Sequence, residues 1–127
     1  MKEVVAVIRV NMINKTKNAL AEAGISSMHV KDVMGRGNGY LAVLEQSEND
    51  AERHWREQIN EYASVGRLIP KRKISIVVPD HLVPKIVDTV IAVNQTGKSG
   101  DGKIFVCPVA ESIRIRDGAA GTEVLDY

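Results

Sequence analysis

Cysteine occurs once in this chain, at Cys107. A single thiol cannot close an intrachain disulfide. Metal centres draw on several Cys, His or carboxylate ligands at set spacings, and the three histidines here form no such pattern, so no metal site is expected. Aromatic residues are nearly as scarce, with one Phe, one Trp and three Tyr. Proteins that read RNA on a sheet face stack bases on aromatic rings, so a nucleic-acid partner is disfavoured. Charge of one sign is missing too: 17 basic and 16 acidic residues leave a formal net charge of +1. That excludes a general polyanion binder, and any anion must be held locally. No apolar run reaches membrane-spanning length, and Arg9 breaks the opening MKEVVAVIRV, unlike a signal peptide. A cytoplasmic protein without membrane insertion, in a reducing setting, is the expectation.

What is present reads as one domain over residues 1–127, with hydrophobic residues at 44% and charged residues at 26%, close to globular averages. EVVAVIRV at 3–10 is β-branched and nearly all apolar, as in a strand covered on both faces. From Asn11, a good N-cap, apolar positions return every three to four residues through Leu20 and Ala23 to Gly24, a good helix terminator. SMHVKDVM at 27–34 alternates, with Met28, Val30 and Met34 on one side, and predicts a second strand. Residues 36–69 form a long polar excursion; within 45–61, six acidic residues face two arginines. KISIVV at 73–78 predicts a third strand. Pro79-Asp80 opens a second helix with Leu82, Val83, Ile86, Val87, Val90 and Ile91 as its apolar stripe. Residues 103–109 predict a fourth strand, which IRIR at 113–116 either extends or pairs back on. The order β-α-β, long loop, β-α-β is that of an α+β, ferredoxin-like βαββαβ sandwich with both helices on one face. An uncovered apolar sheet face implies an oligomer.

TGKSGDGKIFV at 96–106 holds three glycines and two lysines before a strand. Its GKS resembles the end of a Walker A loop, but Ala92 stands where the first glycine is required and a helix, not a strand, precedes it. The loop still suits phosphate: Gly100 and Gly102 let backbone N–H groups close around anionic oxygens, Lys98 and Lys103 add charge, and Asp101 either fixes the loop or orients a ribose. The plainer reading is a tight αβ connection with surface lysines. In IRIR, period two puts Arg114 and Arg116 side by side, as a polyphosphate clamp or as the charged face of an edge strand.

Together, T-x-x-x-G-D-G-K-I-F-V and I-R-I-R-x-G, with VVPD at 77–80, ALAE at 19–22 and GI at 24–25, resemble the signature of the PII family of nitrogen-regulatory signalling proteins. The resemblance implies a trimer of ferredoxin-like subunits that takes ATP or ADP, with Mg2+ and 2-oxoglutarate, as effectors in clefts between subunits, without a covalent cofactor. It implies phosphate binding by Gly100, Asp101, Gly102 and Lys103, completed by Arg114 and Arg116. Val77 and His29 would lie near the adenine, and Lys71 would pair with the distal carboxylate of 2-oxoglutarate. The family's G-x-G-R-Q-K/R-G stretch is Gly35-Arg36-Gly37-Asn38-Gly39 here, so Asn38 stands in for the missing glutamine toward ATP and 2-oxoglutarate, unless Gln46 reaches back.

The excursion at 36–69 lacks the family's Y-R-G-A-E-Y run, and Tyr62 is not at the usual modification distance from the following proline. An altered loop of this kind resembles the nitrogenase-associated branch, which implies dinitrogenase as the protein target, inhibited when 2-oxoglutarate is low. Control of an ammonium transporter or glutamine synthetase is the alternative, as is a ferredoxin-like sensing domain without nucleotide. Arg53, Trp55 and Arg56 read as target contacts, because Trp and Arg dominate interface hot spots, or as a tryptophan tucked against its own subunit. The partner chains would be identical copies or a related PII subunit. No His or carboxylate sits in a motif that assigns a catalytic base, so no enzymatic activity is expected.

Overall fold

The computed structural model describes residues 1–37 and 68–127. Four strands, β1 (Lys2–Arg9), β2 (His29–Gly35), β3 (Ile69–Val78) and β4 (Lys103–Pro108), form one antiparallel sheet in the order β2-β3-β1-β4. Helix α1 (Ile13–Glu22) joins β1 to β2, and α2 (Val83–Asn94) joins β3 to β4, so each helix crosses over one intervening strand. This is the split βαβ plan that the element order predicts.

Strand register assigns the two faces. Val4, Ala6 and Ile8 of β1 lie on the same face as Ile76, Ile74 and Arg72 of β3, their partners across the ladder. With Val78, Leu20, Ile25, Ile86 and Val90, the apolar members of that face make the buried core. The opposite face carries Val5, Val7 and Phe105, and Phe105 is 51% exposed. No helix among the described residues covers it.

The helix ends follow local chemistry. Helix α1 stops in a Schellman arrangement: Gly24, at φ +86, donates to Ala21 O, and Ile25 N–H donates to Leu20 O. Leu20 and Ile25 are both fully buried, the apolar contact that usually accompanies this motif. At its start the expectation needs correcting. Asn11 is not the N-cap: a 3-10 turn, Val10–Met12, comes first and the helix begins at Ile13 without a side-chain cap. Likewise a 3-10 turn, Asp80–Leu82, precedes α2, which leaves Pro84 in the first helical turn, where a missing N–H costs nothing. In α2 the stripe is narrower than expected, since Ile86 and Val90 are buried whereas Ile91 is 43% exposed.

Two strand expectations change. β3 begins at Ile69, four residues before KISIVV, so Ile69 leaves the 36–69 excursion. Pro70 fits this strand because β1 ends opposite Lys71, and the proline lies beyond that ladder. IRIR neither extends β4 nor pairs with it. Ile113 bridges Ala120 further along the chain, and residues 115–117 form a turn.

A buried polar link ties the helices together. Thr16 donates to Met12 O at 2.7 Å, and Asn94 Nδ2 donates to Thr16 Oγ1 at 3.0 Å and to Val90 O at 2.9 Å. Thr16→Val, nearly isosteric, removes the hydroxyl that accepts from Asn94. Chemical denaturation should show a loss of about 1–3 kcal/mol, the usual cost of stranding a buried donor.

Candidate functional site

Helix α2 ends at Asn94 and β4 starts at Lys103; the residues between them fold around one carboxylate. Asp101 Oδ2 accepts from the N–H groups of Thr96 (2.8 Å) and Gly97 (3.0 Å), while Oδ1 accepts from Thr96 Oγ1 (2.5 Å) and Arg9 Nη1 (2.7 Å). Hydrogen bonds from Thr96, first its side chain and then its backbone, with the Arg9 guanidinium after them, hold this carboxyl well below the usual carboxylate range. Of the two roles open to Asp101, the structure assigns it the first: it fixes the loop.

Two cations then reach the loop's carbonyl oxygens. Arg9 Nη2 donates to Ser99 O at 3.1 Å and Lys71 Nζ donates to Gly100 O at 2.8 Å. Arg9 and Lys71 are directly opposed on β1 and β3, which brings both to this end of the sheet. Partial burial and the neighbouring Arg9 lower the Lys71 pKa, and Asp101 offsets part of that. The oxygens of Ser99 and Gly100 are thus engaged, whereas no described group accepts from the N–H groups of Ser99, Gly100 and Gly102. Such unused amides, beside lysines, are what an anion requires.

Gly102 makes the loop possible. Its φ is +109, and a Cβ there would lie 1.9 Å from Val7 O, so only glycine lets the chain cross β1 this closely. Gly100, at φ +98, has the Arg9 guanidinium 3.2 Å from where its Cβ would be.

Beside the loop is a cleft of about 670 Å³ between the end of β2 (Gly35, Arg36, Gly37), the start of β3 (Ile69, Lys71), the loop (Ser99, Gly100, Gly102) and β4 (Lys103, Phe105), with Val7 between them. That volume lies within the usual range for small-molecule sites. Of the expected residues, Lys71, Gly100, Gly102 and Lys103 line it, and Asp101 braces it from the loop. Val77 does not. It lies six residues along β3 from Lys71, about 20 Å at strand rise. His29 is exposed and faces Ser75, also away from the cleft. Arg114 and Arg116 are in the C-terminal hairpin and do not project side by side from a strand: Arg114 folds back on Asp117 and Arg116 is in the turn. Asn38, Arg53, Trp55 and Arg56 lie outside the described residues. Sequence reasoning missed Arg9 as a site residue; its signal was a lone cation at the end of an apolar strand.

A family model described as nitrogen regulatory protein P-II matches residues 1–119. A nitrogen fixation nifHD region GlnB-like protein 2 of Methanobacterium ivanovii is 42% identical over 98% of this chain and 99% of its own length. Nitrogen regulatory protein P-II 1 of Escherichia coli K12 is 41% identical over 93% of this chain and 94% of its own length. Among solved structures, Arabidopsis thaliana PII bound to citrate superimposes with a TM-score of 0.71 at 28% identity, covering 99% of this chain and 90% of that one.

Two outcomes test the loop. Gly102→Ala should destabilise the fold by roughly 3 kcal/mol or more, because β4 must move off β1, while Gly97→Ala, at φ +80 with open space around it, should cost only about 1–2 kcal/mol. Denaturant titration of both variants separates them. The Asp101 carboxyl titrates lower folded than unfolded, so its contribution is complete above the ordinary carboxylate pKa of about 3.9 and is lost only as pH falls through the depressed folded value. The Thr96 and Gly97 amide resonances should accordingly hold their positions down to about pH 4 and shift only in stronger acid.

Proposed function

The chain belongs to the nitrogen regulatory protein P-II family, and from that premise we propose that it is a cytoplasmic, trimeric sensor of ATP or ADP and of 2-oxoglutarate that acts by binding a protein target and not by catalysis. The observation that carries the nucleotide reading is the loop at 99–102: the carbonyls of Ser99 and Gly100 are tied to Arg9 and Lys71 and the amides of Ser99, Gly100 and Gly102 are unused, with Lys103 beside them. Phosphate oxygens satisfy those amides, as they do in other nests of successive N–H groups.

Mg2+ enters this reading on the nucleotide. Among the described residues no group of three His, Cys, Asp or Glu could hold a metal, and the Asp101 carboxylate is already shared among Thr96, Gly97 and Arg9. When bound, the ion neutralises phosphate charge and offers coordination to a carboxylate. For 2-oxoglutarate the group in reach is Lys71, whose ammonium would exchange Gly100 O for the distal carboxylate; Asn38 is the proposed second contact. The relative solved with citrate, a polycarboxylate, agrees with a cleft of this chemistry.

The trimer is the assembly this reading takes from the family, and what one chain keeps apart supports an oligomer. Val77, His29, Arg114 and Arg116 do not line the cleft beside the Gly100–Gly102 loop within a single subunit, and Val77 and His29 lie further along the sheet. The sheet face bearing Phe105 and the turn bearing Ile115, 99% exposed, are uncovered. A second copy, or a related subunit, would close both. The segment between Gly37 and Ile69 is proposed as the part a target reads, with Arg53, Trp55 and Arg56 as contacts. Its support is positional: Arg36 and Gly37 before it and Ile69 and Lys71 after it all line the cleft, so a ligand touches both ends. Relatives named for nitrogen fixation nifHD regions favour nitrogenase as that target, inhibited when 2-oxoglutarate is scarce.

Calorimetry with MgATP, with and without 2-oxoglutarate, tests this. Lys103→Ala and Arg116→Ala should each weaken ATP binding about ten- to a hundredfold, the worth of one charge-assisted hydrogen bond. By linkage, 2-oxoglutarate should tighten ATP by the same factor that ATP tightens 2-oxoglutarate. Unchanged affinity in both variants would sink the nucleotide site; equal ATP affinity with and without 2-oxoglutarate would remove the second effector.

A further inference from the structure

We propose that Asp117 restrains Arg114, so that of the two arginines in the C-terminal hairpin only Arg116 is offered to an anion until the Arg114–Asp117 pair opens. This rests on the reading that the hairpin contributes to the nucleotide site.

The hairpin is built around that pair. Gly121 N–H donates to Ser112 O at 2.9 Å and Arg114 N–H donates to Ala119 O at 2.7 Å, with Ile113 and Ala120 bridged between them. Gly118, at φ +71, closes the tip by donating to Arg114 O at 2.8 Å. Within this frame the Asp117 carboxylate meets one whole edge of the Arg114 guanidinium. Nε donates to Oδ1 at 3.0 Å and Nη2 donates to Oδ2 at 2.7 Å, while Oδ1 also accepts the Ala119 N–H at 3.1 Å. This is the two-pronged geometry by which arginine takes a phosphate, here satisfied by the chain's own carboxylate.

Arg116 differs. It is exposed in the turn and has no hydrogen-bond or ion-pair partner among the described residues. An approaching phosphate therefore meets one free guanidinium at Arg116 and, at Arg114, a guanidinium whose charge is balanced by a carboxylate that repels the incoming anion. To use the engaged edge of Arg114 the phosphate must displace Asp117. The restraint lowers affinity for every anionic ligand of the hairpin and makes Arg114 a second, later contact.

The experiment is calorimetry of MgATP binding to the full chain and to Asp117→Asn, Asp117→Ser, Arg114→Ala and the double variant Arg114→Ala/Asp117→Asn. Asn and Ser keep an oxygen for the Ala119 N–H, so the turn survives. Release of an exposed ion pair should tighten ATP about two- to fivefold in both single Asp117 variants. In the Arg114→Ala background the same loss of negative charge should have no such effect, which separates release of Arg114 from a general change in charge. Unchanged or weaker ATP binding in both Asp117 variants overturns the restraint, as does equal tightening with and without Arg114. If Arg116→Ala weakens binding while the Asp117 variants do not tighten it, the restraint alone is wrong; if the unaltered chain takes no ATP, the nucleotide reading fails and the restraint with it.

Discussion

Arg9 and Lys71 face each other across β1 and β3, two like charges at one rung of the ladder, and the organisation of the cleft depends on how that repulsion is relieved. The relief comes from the loop after α2. Asp101 takes the Arg9 guanidinium, and the carbonyls of Ser99 and Gly100 take what remains of Arg9 and the Lys71 ammonium. The loop in turn can come close enough only because Gly102 has no side chain where it crosses Val7 O. One arrangement therefore does two things: it makes a like-charged rung tolerable, and it turns the loop's oxygens toward those cations, leaving its amides unused.

That arrangement also gives the cleft a physical route to the segment between Gly37 and Ile69. Lys71 is two residues into β3 from Ile69 and holds Gly100 O. A carboxylate that drew Lys71 away from Gly100 would alter the loop and the start of β3 together, since both donor and acceptor sit in the cleft wall. Coupling of this kind need supply only about 1–3 kcal/mol to be regulatory, comparable to one or two charge-assisted hydrogen bonds exchanging partners.

The helices, the strand order and the glycine-lysine loop were legible because each leaves a periodic or local signature: 3.6-residue stripes, β-branched runs, glycines where φ must be positive. Relationships spanning the chain were not. Arg9 lies 92 residues from Asp101, and a lone cation at the end of an apolar strand does not say which distant loop it braces. IRIR misled for a different reason. Four alternating residues are as compatible with the arm and tip of a hairpin as with a strand, and the deciding residues, Asp117 and Gly118, follow the motif. Ile69 and Pro70 were hidden by the proline, which argues against a strand until the end of the neighbouring strand is known.

Net charge of +1 suggested that any anion would have to be held locally, and the register shows how a nearly neutral chain gathers cations at one place. On the uncovered face, Lys31 opposes Lys73, Lys73 opposes Val7, and Val7 opposes Lys103, one row from the Arg9 and Lys71 rung. Five cations thus share one end of a face whose other end carries Glu3, bonded to Ser75. Directly opposed like charges destabilise a sheet by a few tenths of a kcal/mol to about 1 kcal/mol each, so the row works against the isolated subunit. An anion placed in the cleft would offset part of that repulsion through Lys71 and Lys103, the two of these cations that line it. Any ligand that bound there in preference to the unfolded chain would by linkage stabilise this end of the sheet.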